Sequence, residues 1–302
     1  MPVNVPKSKP YVAQAFGLRW RSDCPIPWFG QAPDDGRAID VEIERSLTLE
    51  PRPGGRRVNN GEIFPDGTRF MFEGAVIDMV DGHRISWFAP ELDKVPLAVS
   101  STVAAHLLAW RGFVPLHGSA VEIDGVAILV CGRSGAGKST LASALVERGG
   151  ALVSDDLSVM MPVGPGEQPM LLPGRPTIRL AARLGDGREK PKQLAPAPLA
   201  DPDRPVSLAL MLLLQDKEIG GSPAGPASAM LGQLFRPTWM RVLPNIEPRT
   251  ASLLAASQRI AIATLPPAPN ARDVTPAERA EQALALLRSH SAAALPRSAP
   301  AP

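Results

Sequence analysis

The chain has 302 residues, 44% of them hydrophobic, with 32 Lys and Arg against 30 Asp and Glu for a net charge of +2. That length can bury a full core, in one large domain or two small ones, and near-balanced, scattered charge argues against nucleic acid as a partner. Two cysteines, Cys24 and Cys131, stand far apart in no metal-ligand spacing, and the longest apolar run, Leu208 to Leu214, is too short to span a bilayer. A disulfide framework, a zinc module and a membrane span are therefore not expected. The first residues lack the apolar core of a secretion signal, so a cytoplasmic protein is the expectation.

Residues 1–96 read as a small β-rich domain. Val41, Ile43, Leu47 and Leu49 alternate with polar neighbours, as a half-buried strand does. Phe70 and Phe72 open a second such run through Ala75, Ile77 and Met79. Asp81-Gly82 then turns the chain into Ile85 and Trp87, a strong hairpin signal. The stretch from Pro51 to Gly61, rich in Pro, Gly and Arg, reads as a loop. Leu97 to Arg111 predicts a helix with Val103, Leu107 and Trp110 on one face, ended by Gly112, and with His106 on or beside that face as a packed or surface helix histidine.

Next comes HGSAVEIDGVAILVCGRSGAGKSTLASALVERGGALVSDD, residues 117–156. Leu116 to Ile123 alternates, Asp124-Gly125 turns, and Val126 to Cys131 is a short apolar strand. If that turn is a two-residue hairpin, Ile123 faces Val126, and counting back puts His117 opposite Gly132. Ser139 to Arg148 predicts a helix ended by Gly149-Gly150, and Ala151 to Ser154 a strand that delivers Asp155 and Asp156 at its tip.

Strands are expected at Leu157 to Val163, Thr177 to Leu180 and Val206 to Gln215. The last is apolar throughout and so predicted to be covered on both faces. Pro162 to Pro169, Pro191 to Pro205 and Gly220 to Pro226 read as loops, Ser228 to Phe235 as a short helix and Arg259 to Leu265 as a strand. Thr275-Pro276-Ala277-Glu278 is a capping box opening a helix to about His290, and residues 291–302 read as an unstructured Ala/Pro tail.

Gly132-Arg133-Ser134-Gly135-Ala136-Gly137-Lys138-Ser139 matches the phosphate-loop pattern G-x-x-x-x-G-K-[ST] at every fixed position, with a strand before it and a helix, through Thr140, after it. The glycines let backbone N–H groups ring the phosphates of ATP, Lys138 reaches the β- and γ-phosphates, and the Ser139 hydroxyl is placed to ligate Mg²⁺. Adjacent strand residues point to opposite faces, so of Asp155 and Asp156 one can hold Mg²⁺ and the other accept a proton; which does which stays open. The plainer reading of the pair is a solvated turn. His117 can contact a phosphate, modulate the pair, or simply close a strand end. Arg175, Arg179 and Arg183 are candidates for substrate or phosphate contacts, against the plainer reading of surface strand charges. Cys131 reads as a small buried apolar residue.

On these residues the stretch from His117 to Asp156 resembles the C-terminal kinase domain of HPr kinase/phosphorylase and its relatives. It matches in the His-Gly entry, the hairpin strand, the G-x-S-G-x-G-K-S loop, the Arg-Gly after the helix and the Leu-Val-x-Asp-Asp strand end. The resemblance implies an ATP-using serine kinase with a phosphoenolpyruvate-carboxykinase-like α/β fold and a mixed sheet. It implies phosphoryl-transfer roles for Asp155, Asp156 and His117, with Lys138 and Ser139 in the loop. LLPGRPTIRL stands where the family carries its glycine-rich L-E-I-R-G-L-G-like signature, and in layout the chain looks more like the HPr-kinase-related proteins found beside peptide-modification genes, some of which phosphorylate a serine on a precursor peptide.

The expectation is a β-rich N-terminal domain (1–96) followed by a P-loop kinase domain (97–290), using Mg²⁺ and ATP on an acceptor serine of a protein or peptide. A homo-oligomer is compatible with the sequence. The alternatives are an ATP-binding regulatory module without transfer, and a small-molecule kinase. The latter is disfavoured because such enzymes lack a hairpin strand ending in His-Gly.

Overall fold

In the computed structural model, which describes residues 10–26, 29–72, 74–89, 95–180, 193–215, 224–266 and 274–294, the chain builds a nine-stranded and a seven-stranded sheet. The first comprises β1 (Tyr11–Ala15), β2 (Leu18–Ser22), β3 (Gly30–Gln31), β4 (Val41–Arg45), β5 (Arg56–Val58), β6 (Gly61–Phe64), β7 (Gly67–Phe72), β8 (Ala75–Val80) and β9 (Arg84–Phe88). Their order is β3-β1-β2-β4-β9-β8-β7-β6-β5. β4 lies parallel to both β2 and β9, and the other pairs are antiparallel. The alternation read at residues 41–49 holds only to Arg45, and Leu47 is 90% exposed. The expected loop at 51–61 contains β5, which doubles back through Asn59, at φ 48°, onto β6. Asn tolerates the left-handed backbone that such a turn needs.

The first sheet is covered by one helical stretch. It consists of α1 (Val95–Ala98), a π turn (Val99–Val103) and α2 (Ala104–Trp110). The hydroxyl of Ser101 donates to the Leu97 carbonyl at 2.7 Å, and Ser100 reaches the same oxygen at 3.3 Å. Side chains that compete for the helical carbonyls in this way account for the irregular turn. Val103, Leu107 and Leu108 pack with Trp20, Ile77, Met79 and Trp87 of the first sheet and with Leu157 and Val159 of the second. The core therefore runs continuously from one sheet to the other. His106 is fully buried between the rings of Phe70 and Trp239, with Nδ1 2.6 Å from the Thr102 carbonyl.

The second sheet holds β10 (Val114–Ile123), β11 (Val126–Cys131), β12 (Ala151–Ser154), β13 (Leu157–Met160), β14 (Met170–Leu172), β17 (Val206–Leu214) and β18 (Ala261–Leu265). β15 (Thr177–Leu180) and β16 (Gln193–Pro196) form a separate two-stranded ribbon, so part of the Pro-rich stretch read as a loop is paired. β11, β17 and β18 run parallel, while β10 is antiparallel to β11 on one side and to β12 and β13 on the other. β17 carries a bulge at Ala209, which re-aims its side chains. Leu208, Met211 and Leu213 face one core, and Leu210, Leu212 and Leu214 face the other. The strand is covered on both sides, as its unbroken apolar sequence predicts.

α3 (Lys138–Val146) and α7 (Pro276–Ala294) cover one face of this sheet; α4 (Pro226–Leu231) and α6 (Ile246–Ser257) cover the other, and α5 (Pro237–Met240) sets Trp239 against the first core. α6 is not foreseen by the sequence reading. Its Pro248 looks like a breaker, yet it falls in the first turn, where a missing N–H removes no intrahelical bond. α7 begins at the expected capping box, with the Thr275 N–H to Glu278 Oε2 at 2.7 Å and the Glu278 N–H to Thr275 Oγ1 at 3.2 Å. It runs four residues past His290, and the rest of the expected tail lies outside the described residues. Among the described residues no helix is long and apolar enough to cross a membrane. The architecture is mixed α/β with several sheets.

Candidate active site

The hairpin β10–β11 sets the register of the site. Asp124 and Gly125 both take positive φ, 50° and 84°, as a two-residue turn matched to strand twist requires. Ile123 pairs with Val126 and the ladder runs back to Gly118 opposite Cys131, so His117 lies at the mouth of the loop that starts at Gly132.

The loop from Gly132 to Gly137 joins β11 to α3. Gly132 sits at φ 146°, where an added Cβ would meet the Leu214 carbonyl oxygen at 3.0 Å; Gly137 sits at φ 94° with open space around it. The first glycine answers to a close approach, the second to backbone conformation alone. Gly137 caps α3 without a side-chain hydrogen bond, which leaves the positive end of the helix dipole facing the loop. Arg133, Ser134, Gly135 and Thr140 are exposed, Ala136 and Ser139 half-buried. Lys138 is 8% exposed and lies folded along the loop, its Nζ donating to the carbonyls of Gly132 at 2.8 Å and Arg133 at 3.0 Å.

β12 and β13 run along the same edge of β10, and the two aspartates fall in the gap between them. Asp155 is 1% exposed. Its Oδ1 accepts the hydroxyls of Ser119 at 2.5 Å and Ser139 at 2.8 Å, and its Oδ2 accepts the Arg179 backbone N–H at 2.7 Å. Its main-chain carbonyl accepts Nη2 of Arg175 at 3.0 Å. Asp156 takes φ 70°, in the left-handed region that Asp tolerates better than most L-residues. Its carboxylate is 26% exposed and lies 3.6 Å from both His117 Nδ1 and Arg179 Nη1. One aspartate is thus locked by donors from three elements, and the other is open at the surface of the same gap.

His117 Nδ1 is 3.2 Å from the Asp156 carbonyl. A carbonyl only accepts, so Nδ1 carries the hydrogen and the neutral ring offers Nε2 as an acceptor. Burial pushes the imidazole pKa below its ordinary value, and the Lys138 cation adds to that; Asp156 opposes both. The His117 N–H donates to the Gln233 carbonyl at 2.7 Å, and the Phe235 ring stands 6.0 Å from the imidazole. Gln233 and Phe235 are site neighbours that the sequence reading missed. They arrive from a distant segment that adds an isolated bridge to β10, and no local pattern announces that.

Arg175 and Arg179 also come to the aspartates, whereas Arg183 lies outside the described residues. The plainer reading of Arg175 as a surface charge fails, because its side chain is 1% exposed. Cys131 is buried and burial pushes its thiol up to about 12, so it is an apolar packing residue, as expected. Among the described residues no three His, Cys, Asp or Glu converge. The oxygen ligands at the gap are two carboxylates and the Ser139 hydroxyl. That set suits a hard cation that takes its remaining ligands from phosphate and water.

Residues 112–168, which contain the hairpin, the loop, α3 and both aspartates, match the family model of the HPr Serine kinase C-terminal domain. HPr kinase/phosphorylase of Chloroherpeton thalassium is 44% identical over 63 residues, 21% of this chain and 18% of that protein. The protein of the same name from Chlorobium phaeobacteroides is 57% identical over 44 residues, 15% of this chain and 14% of its own. That from Verminephrobacter eiseniae is 32% identical over 148 residues, 49% and 41% of the two chains. The matched part of the chain spans less than half the length of each of these relatives. A solved structure of the Hpr(Ser) kinase/phosphatase from Coxiella burnetii is 20% identical, covering 36% of this chain and 71% of that one, with a TM-score of 0.26.

Proposed function

We propose that the chain is a Mg·ATP-dependent serine kinase that moves the γ-phosphate of ATP to a hydroxyl of a protein or peptide. The observation that carries this reading is the Ser139 hydroxyl reaching from the phosphate loop to Asp155 at 2.8 Å, with the open Asp156 carboxylate beside it. The similarity of residues 112–168 to a kinase domain supports it. In this reading residues 97–290 are a P-loop kinase domain of the HPr-kinase and phosphoenolpyruvate-carboxykinase type, residues 1–96 are a β-rich domain packed on its first helix, and the protein works in the cytoplasm, where ATP is kept.

Bound Mg²⁺ would neutralise phosphate charge, held through Ser139, Asp155 and Asp156. The backbone N–H groups from Gly132 to Thr140 grip the phosphates with the start of α3 behind them, and Lys138 turns from its loop carbonyls to a phosphate oxygen. Asp155, committed to Ser119, Ser139 and the Arg179 amide, keeps the Ser139 hydroxyl aimed. Asp156 takes the proton from the acceptor hydroxyl as that oxygen bonds to the γ-phosphorus and the bond to the bridging oxygen of ADP breaks. His117 offers Nε2 to orient the acceptor. A base in this position accounts for roughly 10² to 10⁴ in rate.

The test is incubation with γ-labelled ATP and Mg²⁺, with HPr as the first acceptor and precursor peptides next, followed by phosphoserine detection. Phosphoserine that depends on Asp156 is the expected result. Tight ATP binding with no transfer to any acceptor, and ADP release no faster than in Asp156→Asn, would replace the kinase by a nucleotide-binding module.

A further inference from the structure

Arg175 is among the largest side chains in the molecule to be fully buried, at 1% exposure, and it lies beside the two aspartates. A guanidinium has five N–H donors, and burying it is costly unless they are answered. Here Nη2 donates to the Asp155 carbonyl at 3.0 Å, while Nη1 is buried with no hydrogen-bond partner among the described residues. The bond goes to the peptide that links Asp155 to Asp156, the point where the chain turns into the left-handed conformation at φ 70°. That turn decides where both carboxylates point. Asp155 faces Ser139, while Asp156 swings toward His117 and Arg179. A cation tied to this peptide also offsets the mutual repulsion of two adjacent carboxylates, one of them buried.

The geometry points to Arg175 as a positioning residue that holds the Asp155–Asp156 turn in the arrangement needed to receive a metal-bound nucleotide, without touching the nucleotide itself. This rests on the nucleotide site proposed above. The phosphate loop and Lys138 are built on β11 and α3, apart from the segment that carries Arg175, so grip on the bare phosphates does not depend on it. Grip on the metal does, because it runs through the two carboxylates and Ser139.

The experiment is a titration of ATP in EDTA and again in Mg²⁺ on the full chain, comparing the natural protein with Arg175→Met and Arg175→Lys, alongside circular dichroism and melting temperature. The expected result for Arg175→Met is a metal-free Kd within about threefold of the natural protein and a loss of at least about tenfold in the tightening produced by Mg²⁺. Arg175→Lys keeps the charge without the planar fork, and should recover part of that tightening. If Arg175→Met keeps the full effect of Mg²⁺, or if both affinities fall together, Arg175 supports the fold only and the inference is overturned. Should Arg175→Met not fold, Arg175→Lys decides in the same way: reduced Mg²⁺ tightening with unchanged metal-free binding supports the role, and natural tightening overturns it. Failure of the natural protein to bind ATP under either condition would instead bring down the proposed function, and this inference with it.

Discussion

Asp155 and Asp156 are chain neighbours held by different numbers of donors, and their variants should differ accordingly. Three close hydrogen bonds converge on the Asp155 carboxylate, whereas that of Asp156 faces His117 and Arg179 across longer gaps of 3.6 Å. In the proposed mechanism Asp156→Asn is expected to lower transfer by about 10² to 10⁴ while metal-free ATP binding stays within a few-fold, since the loop grips the bare phosphates without it. Lys138→Ala is expected to lose nucleotide binding itself; calorimetric titration separates the two. The His117 ring, its pKa lowered first by burial and then by Lys138, stays neutral to a lower pH than a free histidine. Transfer should therefore fall with acid through a midpoint below about 6.5, as Nε2 becomes a donor and a second cation forms beside Lys138. A pH–rate profile checks this, and in His117→Asn that acid limb should vanish. A limb that survives the substitution belongs to another group.

At the scale of elements, caps and turns were the most readable features. The Thr275–Glu278 capping box forms as its spacing requires, and Ala280, Ala283 and Leu287 of the helix it starts pack in the same core as Leu141 and Leu145 of α3. Thr275→Ala should cost about 1 kcal/mol, read as a lower urea midpoint with an unchanged slope. The hairpin at Asp124-Gly125 was equally legible, because its turn length sets every pairing back to Gly118. α6 was not, since Pro248 masks a helix whose first turn tolerates it. β16 was hidden because a ribbon edge accepts proline where a central strand does not.

Over the whole molecule, His106 stands where the first sheet meets the α5 segment. The Phe70 ring comes from the first sheet, Trp239 from the α5 segment, and the imidazole stands between them with Nε2 unpartnered among the described residues. Burial pushes its pKa down to about 4, so the unfolded chain takes up this proton at a higher pH than the folded one. Stability is whole above the ordinary histidine value and declines as pH falls from about 6.5 toward 4, by on the order of 3 kcal/mol at the lower end. Urea unfolding at pH 7 and pH 4.5 measures this. His106→Leu should flatten that part of the pH dependence, and an unchanged slope would assign the loss elsewhere.

The loop from Gly132 to Gly137, the hairpin that brings His117 to it, and the strand tip bearing the two aspartates are determined by the sequence alone. Each is a local pattern whose turn and strand geometry leave one arrangement. What the tertiary structure decided is the different burial and bonding of the two aspartates, together with the arrival of Arg175, Arg179 and Phe235. Those contacts join residues 20 to 118 positions apart in the chain, and such approaches are set by how whole sheets pack rather than by any local rule. Burial, which separates a locked carboxylate from an open one and a buried arginine from a surface one, exists only once the core around them has closed.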